Sequence, residues 1–239
     1  EVFTGSISGG SSTSYSFTQT IDVSIDNQQY AIEACTNLSG DQATSNDCIT
    51  SNISTQTCSR CASEGATEYE TSTTRVIFNT IDNASGKPSG YSDYTDTSTT
   101  IERDASYDIS VQVNTDGPFT TGTMVWIDWN QNCDFDDAGE EYILGVTDNQ
   151  NDGLTSQSPL SILIPSNASV GQTTMRVSTQ YGVYPTSCMI DEDGEVEDYT
   201  VNVISLISWT GTTSSDWSTI SNWSTGVIPT SSDIVVIDG

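Results

Sequence analysis

The chain has 239 residues, with 33 acidic side chains against five Lys and Arg and no His, so its formal net charge is −28 at neutral pH. Such a field repels phosphate backbones and anionic lipid headgroups, which excludes nucleic-acid binding and a polybasic membrane anchor. No apolar run approaches the ~20 residues that span a bilayer, so we expect no direct membrane insertion. Nucleophilic catalysis by a Ser–His or Cys–His pair is excluded because His is absent.

Residues 1–57 alternate apolar and polar positions as β-strands do, for example at Tyr30 and Ile32. This stretch is too short for a complete sandwich and resembles the last strands of an immunoglobulin-like module. Cys35 and Cys48 flank one short polar loop. Because that loop would join neighbouring strands, we predict a disulfide between these two cysteines.

Residues 58–205 hold most of the apolar strand patterns of the chain. Period-two alternation recurs at residues 107–113, 124–129 and 199–203, and Gly, Pro, Asn and Asp punctuate the intervals. No segment has a convincing helical period. Many short strands separated by polar turns predict an all-β fold of tandem antiparallel β-sandwich modules, jelly-roll or immunoglobulin-like.

Residues 206–239 differ in composition from the domain before them. Trp209, Trp217 and Trp223 fall close together, and a fresh strand pattern follows at Ile234–Ile237. We predict the start of a further β repeat module here, and a chain cut from something longer.

A family signature stands near the end of the central domain. Residues 194–199 read GEVEDY, and upstream segments read VIFNTIDNASG from Val76, VWIDWNQNCDFDDAGEE from Val125 and IPSNASVGQTTMRV from Ile164. Together they resemble the GEVED domain over roughly residues 61–204. The resemblance implies a non-catalytic β-sandwich module of large exported, multidomain proteins, mostly from Bacteroidota-type bacteria, and therefore an extracellular or cell-surface location. The tail resembles the W-x-G…D-W…N-W repeats of such proteins.

An acidic loop follows one of the predicted strands. It places oxygen-bearing side chains at alternate positions, namely Asp128, Asn130, Asn132, Asp134 and Asp136. This spacing resembles calcium loops of the D-x-N-x-N type, in which side chains and a carbonyl converge on a hard cation. Position six is Cys133, where the family usually has Gly, and position twelve is Gly139. We therefore expect a strand-flanked loop that takes a carboxylate from elsewhere, rather than a helix-flanked EF-hand.

A second acidic cluster, residues 191–198, lies on the signature strand and is the expected donor of that carboxylate. Glu195, Glu197 and Asp198 are the predicted ligands, because so many carboxylates repel one another unless a cation lies between them. The predicted cofactor is Ca²⁺. The alternative is that both clusters are solvated surface loops, and the regular spacing of the first loop favours the cation.

The six cysteines favour an exported protein, since disulfides persist outside the cytosol. Cys58 and Cys61 form a CxxC, which can signal a redox dithiol or half a zinc site. The chain has neither His nor a second CxxC, so structural disulfides are favoured. Cys61 with Cys188 would close the sandwich and leave Cys58 with Cys133, although the sequence alone does not choose among the pairings.

Two function classes remain. The first is a non-catalytic, calcium-stabilised structural or adhesive module of a long extracellular or cell-surface protein, with a filament as one form. Its partners would be neighbouring modules or copies of the same protein. The alternative is a carbohydrate-binding accessory module of a secreted enzyme, which would bind extracellular glycans through loop residues such as Tyr181 and Tyr184. Glu141 and Glu195 are formally available for glycoside hydrolysis, but nothing else indicates a reaction, and we expect no enzyme.

Overall fold

The structure, a computed structural model, describes residues 29–35, 48–54, 60–229 and 234–237. The chain divides into two compact units, Glu1–Cys58 and Ser59–Gly239. The described residues form β-strands and one short 3-10 turn at Ile220–Asn222, without any α-helix, so the predicted all-β fold is confirmed. Nowhere in this described part does a helix have the length and apolarity that a membrane span requires.

The first unit contains a described antiparallel hairpin of β1 (Gln29–Cys35) and β2 (Cys48–Ser54). Cys35 and Cys48 lie directly opposite each other in this ladder and form a disulfide with their Cα atoms 4.1 Å apart. This predicted disulfide is confirmed. The rest of the predicted immunoglobulin-like segment lies outside the described residues.

The second unit contains the remaining strands. In chain order they are β3 (Glu64–Gly65), β4 (Ser72–Phe78), β5 (Ile81–Asn83), β6 (Tyr91–Glu102), β7 (Ser106–Asn114), β8 (Thr120–Ile127), β9 (Glu141–Asp148), β10 (Gly153–Leu154), β11 (Leu160–Leu163), β12 (Gly171–Tyr181), β13 (Ile190–Glu192), β14 (Gly194–Ile204), β15 (Leu206–Trp209) and β16 (Ile234–Ile237).

Two five-stranded sheets build the sandwich. One has the order β10-β7-β4-β5, with β11 also paired to β7, and the other has the order β6-β14-β12-β8-β9. Their ladders are antiparallel except between β6 and β14, which run parallel. Parallel neighbours need a long crossover connection, and here most of the domain lies between these two strands. The period-two pattern carries no sign of that parallel pairing, because alternation is the same in both kinds of ladder.

Alternating apolar residues place one face of each sheet in a shared core. The fully buried members include Val76, Phe78, Ile109, Val111, Val113, Val125, Ile127, Met175, Val177, Tyr199, Val201 and Val203. Burying each of the larger aliphatic or aromatic side chains contributes about 1.5–3 kcal/mol. The core therefore fixes which face of β14 points inward, and this decides where the acidic residues of the signature strand go.

The opposite face of the second sheet carries a smaller cluster of Met124, Trp126 and Phe135. Segment 60–66 packs on this side, and a disulfide anchors it by joining Cys61 to Cys188, with Cα atoms 5.6 Å apart. That predicted pair is also confirmed. Cys133 is disulfide-bonded too, whereas Cys58, its predicted partner, lies outside the described residues.

The end of the second unit forms a small motif around three tryptophans. Trp209, Trp217 and Trp223 pack with ring centroids 4.8–5.3 Å apart, and β15 pairs with β16 in a parallel ladder. Asn222 is fully buried, and its amide side chain bonds to the backbone of residues 213–216. The three-domain division at residues 57/58 and 205/206 stays a prediction.

Candidate functional site

The acidic loop, defined here as residues 128–140, connects β8 to β9 and is held at two points by aromatic anchors. Trp129 is 4% exposed and belongs to the main core. Phe135 is 3% exposed and packs with Met124 and Trp126 on the other side of the sheet. Because Trp129 and Phe135 are buried on opposite faces of the same sheet, the polar residues between them form a turn at the end of the sandwich.

The backbone of the loop folds through successive side-chain turns. Each Oδ1 of Asn130, Asn132 and Asp134 accepts the backbone N–H two residues further on, at 2.9–3.1 Å. Cys133 has a φ of 77°, in the left-handed region that favours glycine. This conformation is the one for which the family resemblance led us to expect Gly at this position.

Three carboxylates of the loop converge. Asp134, Asp137 and Glu140 each place an oxygen within 4.8 Å of the others. The Asn130 and Asn132 amides both donate to Asp137 Oδ2 at 2.7 Å. The structure thus gathers Asn130, Asn132 and Asp134 from the predicted set, whereas Asp136 is exposed and outside the carboxylate group.

Glu140 is the buried member of this group, with 2% of its surface exposed. Its Oε1 accepts the backbone N–H of Trp129 at 2.7 Å and that of Asn130 at 3.3 Å. Its Oε2 is buried and has no hydrogen-bond partner. Burial raises the pKa of Glu140 to about 6, against the effect of the two N–H donors, and the nearby Asp128 and Asp137 charges raise it further. A buried carboxylate oxygen among other carboxylates is the ligand type that a hard cation takes.

Asp128, the first residue of the predicted ligand set, does not belong to this group of three carboxylates. It is fully buried, and Arg60 Nη2 donates to its Oδ2 at 2.7 Å. The backbone N–H groups of Asn132 and Cys133 also donate to its carboxylate, at 3.1 and 3.2 Å. Asp128 therefore fixes the loop backbone, with its charge balanced by Arg60.

The carboxylates of the signature strand point to two different sides. Glu195 and Glu197 are fully buried and share the inward face of β14 with Tyr199. Burial raises the pKa of Glu195 to about 9 and that of Glu197 to about 7. Neither residue belongs to the carboxylate group of the loop.

Asp198 lies on the outward face and forms a bidentate salt bridge with Arg176. The Nε–Oδ1 and Nη2–Oδ2 distances are both 2.8 Å, and the side chains are 3% and 7% exposed. Arg176 Nη1 also donates to the carbonyls of Cys61 and Ser187. Each of the three guanidinium nitrogens of Arg176 thereby donates at least one hydrogen bond in a buried site.

Phe135 connects the loop to the signature strand. The guanidinium carbons of Arg60 and Arg176 lie 5.7 and 5.2 Å from the centre of its ring, within the range of cation–π contacts. Since Arg60 binds Asp128 and Arg176 binds Asp198, two ion pairs share one aromatic ring. In the described residues the two predicted clusters are linked by this arrangement, and not by adjacent carboxylates.

The interpretation of the sequence missed Asp137 and Glu140. Glu140 follows Gly139, the nominal twelfth position of the loop, by one residue. A search for any carboxylate near that position would have found it, but its burial depends on Trp129 entering the core.

The two sheets, the buried ion pairs and the disulfide between Cys61 and Cys188 define a disulfide-stabilised β-sandwich module. Residues 122–202, about a third of the chain, match the family model of the GEVED domain. This match covers the acidic loop and most of the signature strand, so the chain contains a GEVED domain. None of the curated proteins matches this chain.

Proposed function

We propose that this GEVED domain is a calcium-stabilised, non-catalytic structural or adhesive module of an extracellular or cell-surface protein. The observation that carries the proposal is the buried, unpartnered Oε2 of Glu140 in a group with Asp134 and Asp137. An ionised carboxylate left in this state is costly, and a hard cation removes the cost by binding several such oxygens at once.

Asp134, Asp137 and Glu140 would hold the ion, beside the amide groups of Asn130 and Asn132, which donate to Asp137 Oδ2. Glu140 also accepts the N–H of Trp129, which is buried in the main core. A cation on Glu140 would therefore fasten the surface part of the loop to the interior of the sandwich. Its role would be to stiffen the module.

The distribution of charge supports an extracellular setting. All five cationic side chains donate hydrogen bonds inside the chain, namely Arg60, Arg75, Lys87, Arg103 and Arg176. The acidic residues of the chain outnumber these cationic side chains by 33 to 5, so most carboxylates have no cationic side chain to balance them. Extracellular modules bind calcium with Kd values of about 0.1–1 mM, and disulfides persist in the same compartment. Stiffened modules would suit contacts with neighbouring modules or with copies of the same protein, including in a filament.

Calcium titration calorimetry on Asp134→Asn/Asp137→Asn tests this proposal. The variant should bind one calcium ion fewer per chain than the unmodified protein. Asp96→Asn/Asp108→Asn is the matched control, because it removes two exposed carboxylates from other strands; it should bind calcium like the unmodified protein. Unchanged stoichiometry in the loop variant would contradict the proposed site.

A carbohydrate-binding role is the second candidate, and a patch of exposed aromatic residues favours it. Phe119, Tyr181 and Tyr184 are each 45% exposed, and the first two rings contact edge to face at 5.4 Å. Exposed rings of this kind offer apolar faces for stacking. If the candidate holds, Tyr181→Ala/Tyr184→Ala should lose retardation in polysaccharide affinity gels, while Tyr69→Ala, which truncates a tyrosine of similar exposure, keeps it. Equal migration of all three proteins with and without polysaccharide would exclude it.

A further inference from the structure

Two glutamates of the signature strand are enclosed between the sheets. Glu195 and Glu197 are both 0% exposed and lie two residues apart on β14, so they point to the same side. The neighbouring inward residue, Tyr199, is part of the main core. Ionised carboxylates in such a place need compensation by cations, metal ions or several hydrogen bonds.

The hydrogen bonds at these side chains leave half of their oxygens unused. Ser92 Oγ donates to Glu195 Oε1 at 3.1 Å, and the Tyr199 hydroxyl donates to Glu197 Oε2 at 2.7 Å. The backbone N–H of Thr73 also favours the charged form of Glu195, and the Ser85 hydroxyl does the same for Glu197. Glu195 Oε2 and Glu197 Oε1 are buried without a hydrogen-bond partner. A proton on either of these oxygens would create a buried O–H donor in need of an acceptor.

The nearest cationic side chain does not balance the pair. The charge of Lys87 acts on Glu195, but its ammonium donates to the carbonyls of Ala66, Tyr69 and Thr71 at 2.9, 2.7 and 3.0 Å. These three bonds use all the protons of the ammonium group. Even if the whole charge of Lys87 acted on the pair, one ammonium would balance only one of the two carboxylates. Asp193, whose charge also acts on Lys87, adds a further negative charge.

We propose that Glu195 and Glu197 form a second cation site, inside the sandwich and separate from the acidic loop, for a hard divalent ion such as Ca²⁺. The unpartnered oxygens of the pair supply the anionic ligands, and the hydroxyl of Ser92 is a neutral oxygen beside them. Such an ion would balance the excess charge and satisfy both unused oxygens together. The proposal does not depend on the loop site.

The test is calcium stoichiometry, measured by titration calorimetry on the full chain after removal of bound metal. Glu195→Gln/Glu197→Gln keeps the shape of both side chains but removes their charge, and should bind one calcium ion fewer per chain. Glu68→Gln/Glu70→Gln is the matched control, since these glutamates have the same spacing and are exposed; its stoichiometry should not change. If the Glu195/Glu197 variant binds as many ions as the unmodified chain, the pair holds protons and the inference is overturned.

The loop variant separates the two proposals. Asp134→Asn/Asp137→Asn should still bind the ion held by the glutamate pair, so failure of either site leaves the other measurable. If Glu195→Gln/Glu197→Gln does not fold, Mn²⁺ added to the loop variant replaces it as the test. A bound Mn²⁺ should broaden the ring resonances of Tyr199, whose hydroxyl touches Glu197. Sharp Tyr199 resonances at saturating Mn²⁺ would contradict the buried site.

Discussion

The acidic loop and the signature strand have similar charge but opposite architectures. In the loop, turns bring Asp134, Asp137 and Glu140 together at the edge of the sandwich. On the signature strand, the extended backbone sends neighbouring carboxylates to opposite sides, with Glu197 in the interior and Asp198 against Arg176. Turns gather like charges, whereas an extended strand separates them.

This comparison explains why the acidic residues within each of the two regions have different partners. Asp198 has a dedicated guanidinium, and Asp128 in the loop has one as well. Glu140 and Glu195 each keep a buried oxygen without a partner. The first two residues therefore act as structural ion pairs, and the last two are the positions where we expect cations.

The largest effect should come from breaking the ion pair of the signature strand. Arg176→Leu leaves Asp198 buried without its counter-charge and leaves the carbonyls of Cys61 and Ser187 without that donor. Losing one partner of a buried pair costs about 3–5 kcal/mol. Chemical denaturation should report a fall of that size in the free energy of unfolding.

The control for this variant is Arg75→Leu, which removes the partner of Asp82. The side chains of that pair are 39% and 55% exposed, so a loss of at most about 1 kcal/mol is expected. Equal losses in the two variants would mean that burial does not distinguish the pairs. The double variant Arg176→Leu/Asp198→Leu should recover part of the loss, because no charge is left unpaired.

Removal of the disulfide beside this ion pair should have the next largest effect. Cys61→Ser/Cys188→Ser opens a link between residues 127 positions apart. Loss of a native disulfide of this kind costs about 2–5 kcal/mol. A denaturation midpoint equal to that of the unmodified chain would show that the link contributes nothing to the stability of the sandwich.

Glu140→Gln should have a smaller effect, confined to the acidic loop. Glutamine keeps the oxygen that accepts the N–H groups of Trp129 and Asn130, but it removes the charge that a cation needs. We expect the variant to lose the loop's share of calcium stabilisation, which is about 2.7 kcal/mol at a calcium concentration of 100 Kd. Without calcium, its melting temperature should stay close to that of the unmodified protein. A calcium response equal to that of the unmodified protein would remove Glu140 from the site.

Much of the fold could be predicted from the sequence because alternation is a local signal. It predicts the strands, and it places Trp126 and Trp129 on opposite sides, as the structure has them. The Cys35–Cys48 disulfide follows from one short loop. The Cys61–Cys188 pairing could be proposed from the sequence but not selected over the other pairings, because these two cysteines, 127 positions apart, meet only in the folded domain.

The site could be predicted less well, because charge counts do not reveal burial. Alternation separates Glu197 from Asp198, but only the packed core shows which of the two faces inward. In the same way, Arg60 is far from Asp128 in the chain, so nothing local indicates that Asp128 is already neutralised. The calcium-loop pattern places its twelfth position at Gly139, so it does not select the buried Glu140, which follows by one residue.

The most direct test of the central claim is the melting temperature of the unmodified chain in chelator and in saturating calcium, at constant ionic strength. With calcium at 100 Kd, one bound ion should add about 2.7 kcal/mol to the free energy of unfolding. For a domain of this size, that corresponds to a rise of roughly 5–11 °C, and magnesium at the same concentration should give less because it dehydrates reluctantly. Identical melting curves in chelator and in calcium would contradict a calcium-stabilised module and leave both acidic clusters as charged parts of the protein without a metal.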